Sequence, residues 1–315
     1  MFGNKTVVDM INRSAENEAD RRNFLRTAGL AGLGVVGATT LTGAGGLTAS
    51  AAPTAAAAGG PSDGAILNFA LNLEYLEADF YLNAYYGSGV PSSLTTGKGT
   101  RGGVTGGRKV SFRSRAIAQY AKEIAEDELN HVAFLRGALG SVAVARPSID
   151  LRASFTAAAR AAGLINAKQT FDPFANENNF LLAAFIFEDV GVTAYKGAAP
   201  LIDNKTYLDA AAGILAVEAY HAGIIRTSLY SKGLYSAVRK ISDARDSLDG
   251  KTDLDSGIGT RRRGNLVPTD ANSIAYSRTP GQVLNIVYLN PAQVSKGGFF
   301  PAGLNGELKT SANNA

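Results

Sequence analysis

The chain contains no cysteine and no tryptophan, and only two histidines and two methionines, in 315 residues. Without cysteine there can be no disulfide scaffold, zinc ribbon, cysteine-ligated iron-sulfur cluster or thiol nucleophile. Any metal must be held by His, Asp or Glu, and two histidines leave little room for a three-histidine zinc centre. Charge of one sign is also lacking, with 31 basic against 27 acidic residues and a net charge of +4. The longest basic run, Arg261 to Arg263, lies among glycines with no aromatic platform or basic helix beside it. It reads as a solvated loop, and nucleic acid is not an expected partner. Beyond the first 62 residues no stretch reaches eighteen uninterrupted apolar residues, so that part is expected to be soluble.

What is present is the composition of a packed globular protein, 45% hydrophobic and 18% charged despite 36 glycines. The front differs from the rest. Arg21, Arg22, Asn23, Phe24, Leu25 and Arg26 precede an uncharged stretch rich in Ala, Gly, Leu and Thr that leaves through Ala49, Ser50 and Ala51. A basic start, a mildly apolar middle and a small-residue exit are the parts of a cleavable export signal. The paired arginines resemble the twin-arginine motif, whose pathway carries folded proteins, often with a cofactor already inserted. The expected organisation is a signal over 1–51, a linker over 52–62, a four-helix bundle over 63–232, and a short helix with an irregular C-terminal tail over 233–315. Location is then the periplasm, cell envelope or medium.

Helical spacing of apolar residues predicts helices over 63–86, 113–139, 177–197 and 206–230. Ser111 is a candidate cap and Gly140 a stop for the second. Gly87 to Gly107 reads as a loop, and residues 146–173 as a crossing segment with a short helix near 154–162. A short helix is expected over 235–248. The remaining tail holds one apolar island at Val283, Leu284, Ile286 and Val287, with Phe299, Phe300 and Leu304 packing over the helices without regular structure.

Both histidines occur in the same local pattern, Glu128-Leu-Asn-His131 on the second helix and Glu218-Ala-Tyr-His221 on the fourth. Three residues of helix return to nearly the same face, so each Glu projects beside its His. Eleven glutamates in the chain make this pairing at both histidines by chance rare. Two-metal bundle sites also need a carboxylate from each of the other two helices. The third helix offers Glu188 among Phe185, Ile186, Phe187 and Val190, where a lone carboxylate is costly unless it meets a cation. The first offers Glu74 and Glu77. Aligning Asn68-Phe69 with Asn179-Phe180 pairs Glu77 with Glu188, whereas aligning on the tyrosine seven residues beyond pairs Glu74/Tyr81 with Glu188/Tyr195. The first register is preferred, and both carboxylates can face one site.

Four carboxylates and two neutral imidazoles balance two divalent ions, and oxygen-rich, thiolate-free ligation suits iron or manganese. Glu128 and Glu218 are expected to bridge, with Glu77 and Glu188 terminal. Glu123, Glu126 and Asp127 read as a solvated face. Asp79 and Asp189 are candidates to orient the histidines, and Tyr81, Tyr85, Tyr195 and Tyr220 read as core aromatics.

The segments LNFALNLEYLEADFY (67–81), AEDELNHVAFL (125–135), FIFEDVGVTAYKGAA (185–199) and AVEAYHAGIIR (216–226) resemble the ferritin-like superfamily. With the tail blocks RTPGQVLNIVY and GGFFPAGLNG they resemble, more narrowly, the bacterial and plant desiccation-related ferritin-like domain proteins. That resemblance implies an all-α ferritin-like four-helix bundle with a long irregular tail. It also implies metal ligation by Glu77 or Glu74 with Glu128, His131, Glu188, Glu218 and His221. The resemblance does not settle the activity; the expected function is that of an exported di-metal protein acting in oxidative or desiccation stress by peroxide or oxygen chemistry on iron or manganese. The alternative is a non-enzymatic metal-binding or protective protein of the cell envelope. Expected partners are metal ions, peroxide or oxygen, the twin-arginine export machinery and further copies of the chain. Peroxidase chemistry with a built-in electron donor is disfavoured because such a donor needs cysteine.

Overall fold

The computed structural model describes residues 60–315. The predicted export signal over 1–51 and the linker over 52–62, apart from its last three residues, lie outside the described residues. Four long helices carry the architecture: α1 (Asp63–Tyr86), α2 (Arg115–Leu139), α4 (Glu177–Ala198) and α5 (Lys205–Ser231). Each starts on a side-chain cap, respectively Ser62, Ser114, Asn176 and Asn204, whose oxygen accepts an N–H in the first turn. The cap of α2 is Ser114 rather than Ser111, so the helix begins two residues later than the spacing predicts. Helix α1 packs along α2 and α4 along α5, giving two hairpins that face each other as a bundle.

The hairpins are joined by a crossing segment that includes α3 (Ala153–Ala161) and the strand β2 (Ile149–Asp150), which pairs in parallel with β1 (Val104–Thr105) from the loop between α1 and α2. Beyond α5 come α6 (Tyr235–Asp249), the small antiparallel pair β3 (Gly259–Thr260) and β4 (Arg263–Gly264), and α7 (Pro280–Tyr288). The apolar island in the tail is therefore a helix. Thr279 and Gln282 close a capping box around its first turn and Pro280 sits where its missing N–H costs nothing.

Burial differs between the helices. Helices α1 and α4 are buried nearly all round, which suits their apolar sequences, whereas α2 and α5 each turn one face to solvent. The C-terminal region accounts for the difference. Phe299 packs against Phe155 and Phe187 at 4.9 and 5.0 Å between ring centres. Asn72 of α1 and Asn305 exchange hydrogen bonds of 2.9 and 3.2 Å.

Three buried arginines pin the region down. Arg226 of α5 pairs with Asp189 at 2.7 Å and donates to the carbonyls of Ser256, Gly257 and Asn265. Arg245 of α6 joins Asp189 to Asp255, and Arg278 joins Asp255 to Asp249. Three cations against three carboxylates leave this cluster neutral, which is the condition for burying it. Gly197 makes room for the chain at Arg278, since a side-chain carbon there would run into the Arg278 carbonyl.

Candidate metal centre

Seven side chains from the four long helices converge at the bundle centre: Glu74 and Glu77 of α1, Glu128 and His131 of α2, Glu188 of α4, Glu218 and His221 of α5. All are buried. The three-residue spacing does what helical geometry requires, turning Glu128 with His131 and Glu218 with His221 toward the same interior. Glu128 lies between the two histidines, with Oε2 3.5 Å from His131 Nδ1 and Oε1 3.1 Å from His221 Nδ1. Glu74 stands 3.2 Å from His131 Nδ1 and Glu188 3.6 Å from His221 Nδ1.

Three overlapping groups of potential ligand atoms each fall within 4.8 Å: Glu74, Glu128, His131 and Glu218; Glu128, Glu188 and His221; Glu77, Glu188 and Glu218. Oxygens of all five glutamates and Nδ1 of both histidines are buried without a well-oriented hydrogen bond, and those of Glu77 and Glu218 have no ion-pair contact with a histidine either. Such groups are normally paired, and each one left bare costs about 1–3 kcal/mol. A shared cation is the partner that suits a set of oxygens and imidazole nitrogens, so the cluster is compatible with a two-metal site.

The second alignment register is the one the side chains follow. Tyr81 donates to Glu188 and Tyr195 donates to Glu74, a reciprocal exchange between α1 and α4. Arg136 on α2 reaches the Tyr75 hydroxyl at 2.6 Å, and its counterpart Arg226 on α5 reaches Asp189. The two hairpins are thus related as an approximate repeat, with Glu74 equivalent to Glu188 and Glu77 an additional carboxylate.

Proton affinities reflect crowding in a dry site. Burial pushes Glu74 up to about 7 and Glu188 to about 8, only partly opposed by the nearby histidines. Glu77 and Glu218 rise well above the usual carboxylate range, through burial and then through repulsion from neighbouring glutamates. Burial also opposes the charge on Glu128, yet the two histidines beside it hold it below the ordinary range. For His131 and His221 burial disfavours the charged form, but Glu74 and Glu188 with Glu128 outweigh it and raise them to about 11 and about 10. The cluster therefore holds protons at neutral pH, which a bound cation would have to displace.

Several neighbours differ from expectation. Asp127 is no mere surface charge: it lies 3.1 Å from His221 Nε2 and so orients the ring with Nδ1 toward the cluster. Only its position one residue before Glu128 could have hinted at this. Asp79 and Asp189 do not touch the histidines; Asp79 pairs with Arg146 at 3.2 Å and Asp189 with Arg226 and Arg245. Tyr81 and Tyr195 are core aromatics, Tyr85 is half-buried, and Tyr220 is 74% exposed on the outer face of α5. Gly191 of α4 faces the cluster, and a methyl group there would lie 3.0 Å from Glu218 Cδ, closer still to its Oε2, and 3.4 Å from Glu77 Oε1.

Residues 62–231 match the ferritin-like domain family. The chain is 33% identical over 268 residues to the desiccation-related protein PCC13-62 of Craterostigma plantagineum, covering 78% of this chain and 84% of that one. It is 27% identical over 265 residues to the ferritin-like catalase Nec2 of Nesocodon mauritianus, covering 77% and 83%. No solved structure matches significantly.

Proposed function

Because the chain belongs to the ferritin-like domain family, we propose that its buried cluster holds two divalent ions of iron or manganese and that the protein consumes peroxide. The observation that carries this reading is the set of unpartnered buried ligand atoms from all four helices, which includes both histidines of the chain. Peroxide is favoured over other oxygen chemistry because one relative is named a catalase and because the absence of cysteine removes a built-in electron donor. The ions would supply Lewis acidity and one-electron redox capacity.

The chain's own residues do the rest. Glu74, Glu128, His131, Glu188, Glu218 and His221 would ligate, with Glu128 shared between the two positions. Tyr81 and Tyr195 hold the outer oxygens of Glu188 and Glu74 and so fix the rotamers of those two ligands. Glu77 borders a cavity of about 20 Å³ walled by Leu73, Leu76, Phe187 and Val190 and roofed by Val287 and Phe299 from the C-terminal region. That space suits a molecule the size of water or peroxide and excludes larger reductants. The region after α5 thereby keeps bulk solvent off the centre.

Export through the twin-arginine pathway, from the residues around Arg21 and Arg22, is part of the same reading: a folded, metal-loaded bundle is what that pathway would carry. Its work would then be protection against peroxide outside the cytoplasm. To test the reading, the purified protein is loaded with iron or manganese, and peroxide loss and oxygen release are followed. Turnover with one metal, lost on chelation, is expected. Stoichiometric metal with no turnover would leave a metal-binding protective protein instead.

A further inference from the structure

The repeat that relates the two halves of the centre is broken in two places. Glu74 and Glu188 are equivalent, as are Tyr81 and Tyr195, but the residue equivalent to Glu77 is Gly191. Glu128 and Glu218 are equivalent, but Asp127 precedes one and Val217 the other. Glu77 is thus a carboxylate without a counterpart, and Asp127 a histidine partner without a counterpart.

Both departures favour the same position. Glu77 groups with Glu188 and Glu218, and Asp127 stands behind His221, the histidine beside Glu188. Around His131 the carboxylates are Glu74, Glu128 and Glu218; the Glu188 side adds Glu77 to Glu128, Glu188 and Glu218. A carboxylate accepting the outer N–H of an imidazole makes the inner nitrogen a stronger donor. Gly191 is what permits the extra charge, because a side chain there would take the space of Glu218 and crowd Glu77.

We infer that the two metal positions are inequivalent, and that the one bounded by Glu188 and His221 fills first and more tightly because Glu77 and Asp127 act on it alone. This rests on the two-metal reading above. Five carboxylates also exceed by one the charge of two divalent ions, so the centre accommodates one ion of higher charge, and the same position is where that charge is best compensated.

The experiment is a titration of metal-stripped protein with Mn(II), following free Mn(II) by electron paramagnetic resonance. Two binding steps separated by at least about tenfold are expected in the native chain. Asp127→Asn should weaken the first step by about tenfold, the scale at which outer hydrogen-bond partners act on metal affinity, and leave the second unchanged. Asp127 is 40% exposed, so this variant keeps the fold. Glu77→Gln should do the same, while Val217→Asp, which supplies the missing partner for His131, should tighten the second step. Two equal steps in the native chain, or variants that weaken both steps alike, would overturn the inference and leave the two-metal reading standing. No binding at all would instead remove the reading on which it rests.

Discussion

Gly191→Ala gives the sharpest local perturbation of the centre. The position lies inside α4 with ordinary helical backbone, so exchanging glycine for alanine should by itself stabilise the helix by about 1 kcal/mol. Against this, the added methyl would sit 3.0 Å from Glu218 Cδ and 3.4 Å from Glu77 Oε1, with the Glu218 oxygen closer still. Glu218 must therefore shift by roughly 1 Å, and overpacking of this kind costs about 1–3 kcal/mol. The two contributions nearly cancel, so the metal-free variant should unfold within about 2 kcal/mol of the native protein. Metal binding should not be spared. A displaced ligand carboxylate is expected to lower affinity by about 10–100-fold, the scale seen when groups supporting a metal ligand are removed. The control is Gly213→Ala on the exposed face of α5, where the methyl meets nothing within 4 Å. It should gain about 0.5–1 kcal/mol and leave metal binding unchanged. Urea unfolding of the metal-free proteins and Mn(II) titration report the two effects separately. Native metal affinity in Gly191→Ala would refute the placement of Glu218 as a ligand beside that gap.

Arg226→Leu should destabilise the fold by about 3–5 kcal/mol, since it strips Asp189 of one of its two arginines and frees three carbonyls of the segment 256–265; urea unfolding with limited proteolysis of that segment checks it, and an unchanged midpoint contradicts it. Tyr81→Phe and Tyr195→Phe should each lose about 1–3 kcal/mol in the metal-free protein, by similar amounts because the two bonds are equivalent across the repeat. A large effect in only one would argue against the repeat. The pH dependence should reverse on metal loading. In the metal-free protein Glu74 and Glu188 are raised from 4.5 to about 7 and about 8, so their contribution is fully present below about pH 4.5 and is lost as pH rises through 7 to 8. His131 and His221, raised to about 11 and about 10, act in the same direction at higher pH. Metal binding requires deprotonated ligands, so the rise in melting temperature on adding Mn(II) should grow from about pH 5 to 8. A rise that shrinks over that range would contradict the ligand set.

The sequence carried the site better than its surroundings, and the reason is range. A Glu three residues before each His is a signal contained within one helical turn, and the helices that carry the cluster were legible for that reason, although the cap of α2 is Ser114 rather than Ser111. Asp127 read as a solvated charge because its partner, His221, is on another helix. The neutral cluster of Arg226, Arg245 and Arg278 with three aspartates joins residues from 189 to 278, and nothing local marks those arginines as buried. Helix α7 could have been recognised from Thr279, Pro280 and Gln282 in capping order, a signal obscured by Gly281 within its first turn. Tyr220 faces outward because it precedes His221, and one residue of helix turns about 100° away from the ligand face.

Elemental analysis of protein purified from its native compartment shows whether the buried cluster holds two metal ions. About two equivalents of iron or manganese per chain are expected, the number of positions the bundle's Glu and Glu-x-x-His groups can hold. Chelation should remove them, with a large fall in melting temperature. Folded protein that contains no stoichiometric transition metal, and whose melting temperature is indifferent to added iron and manganese, would contradict the two-metal site.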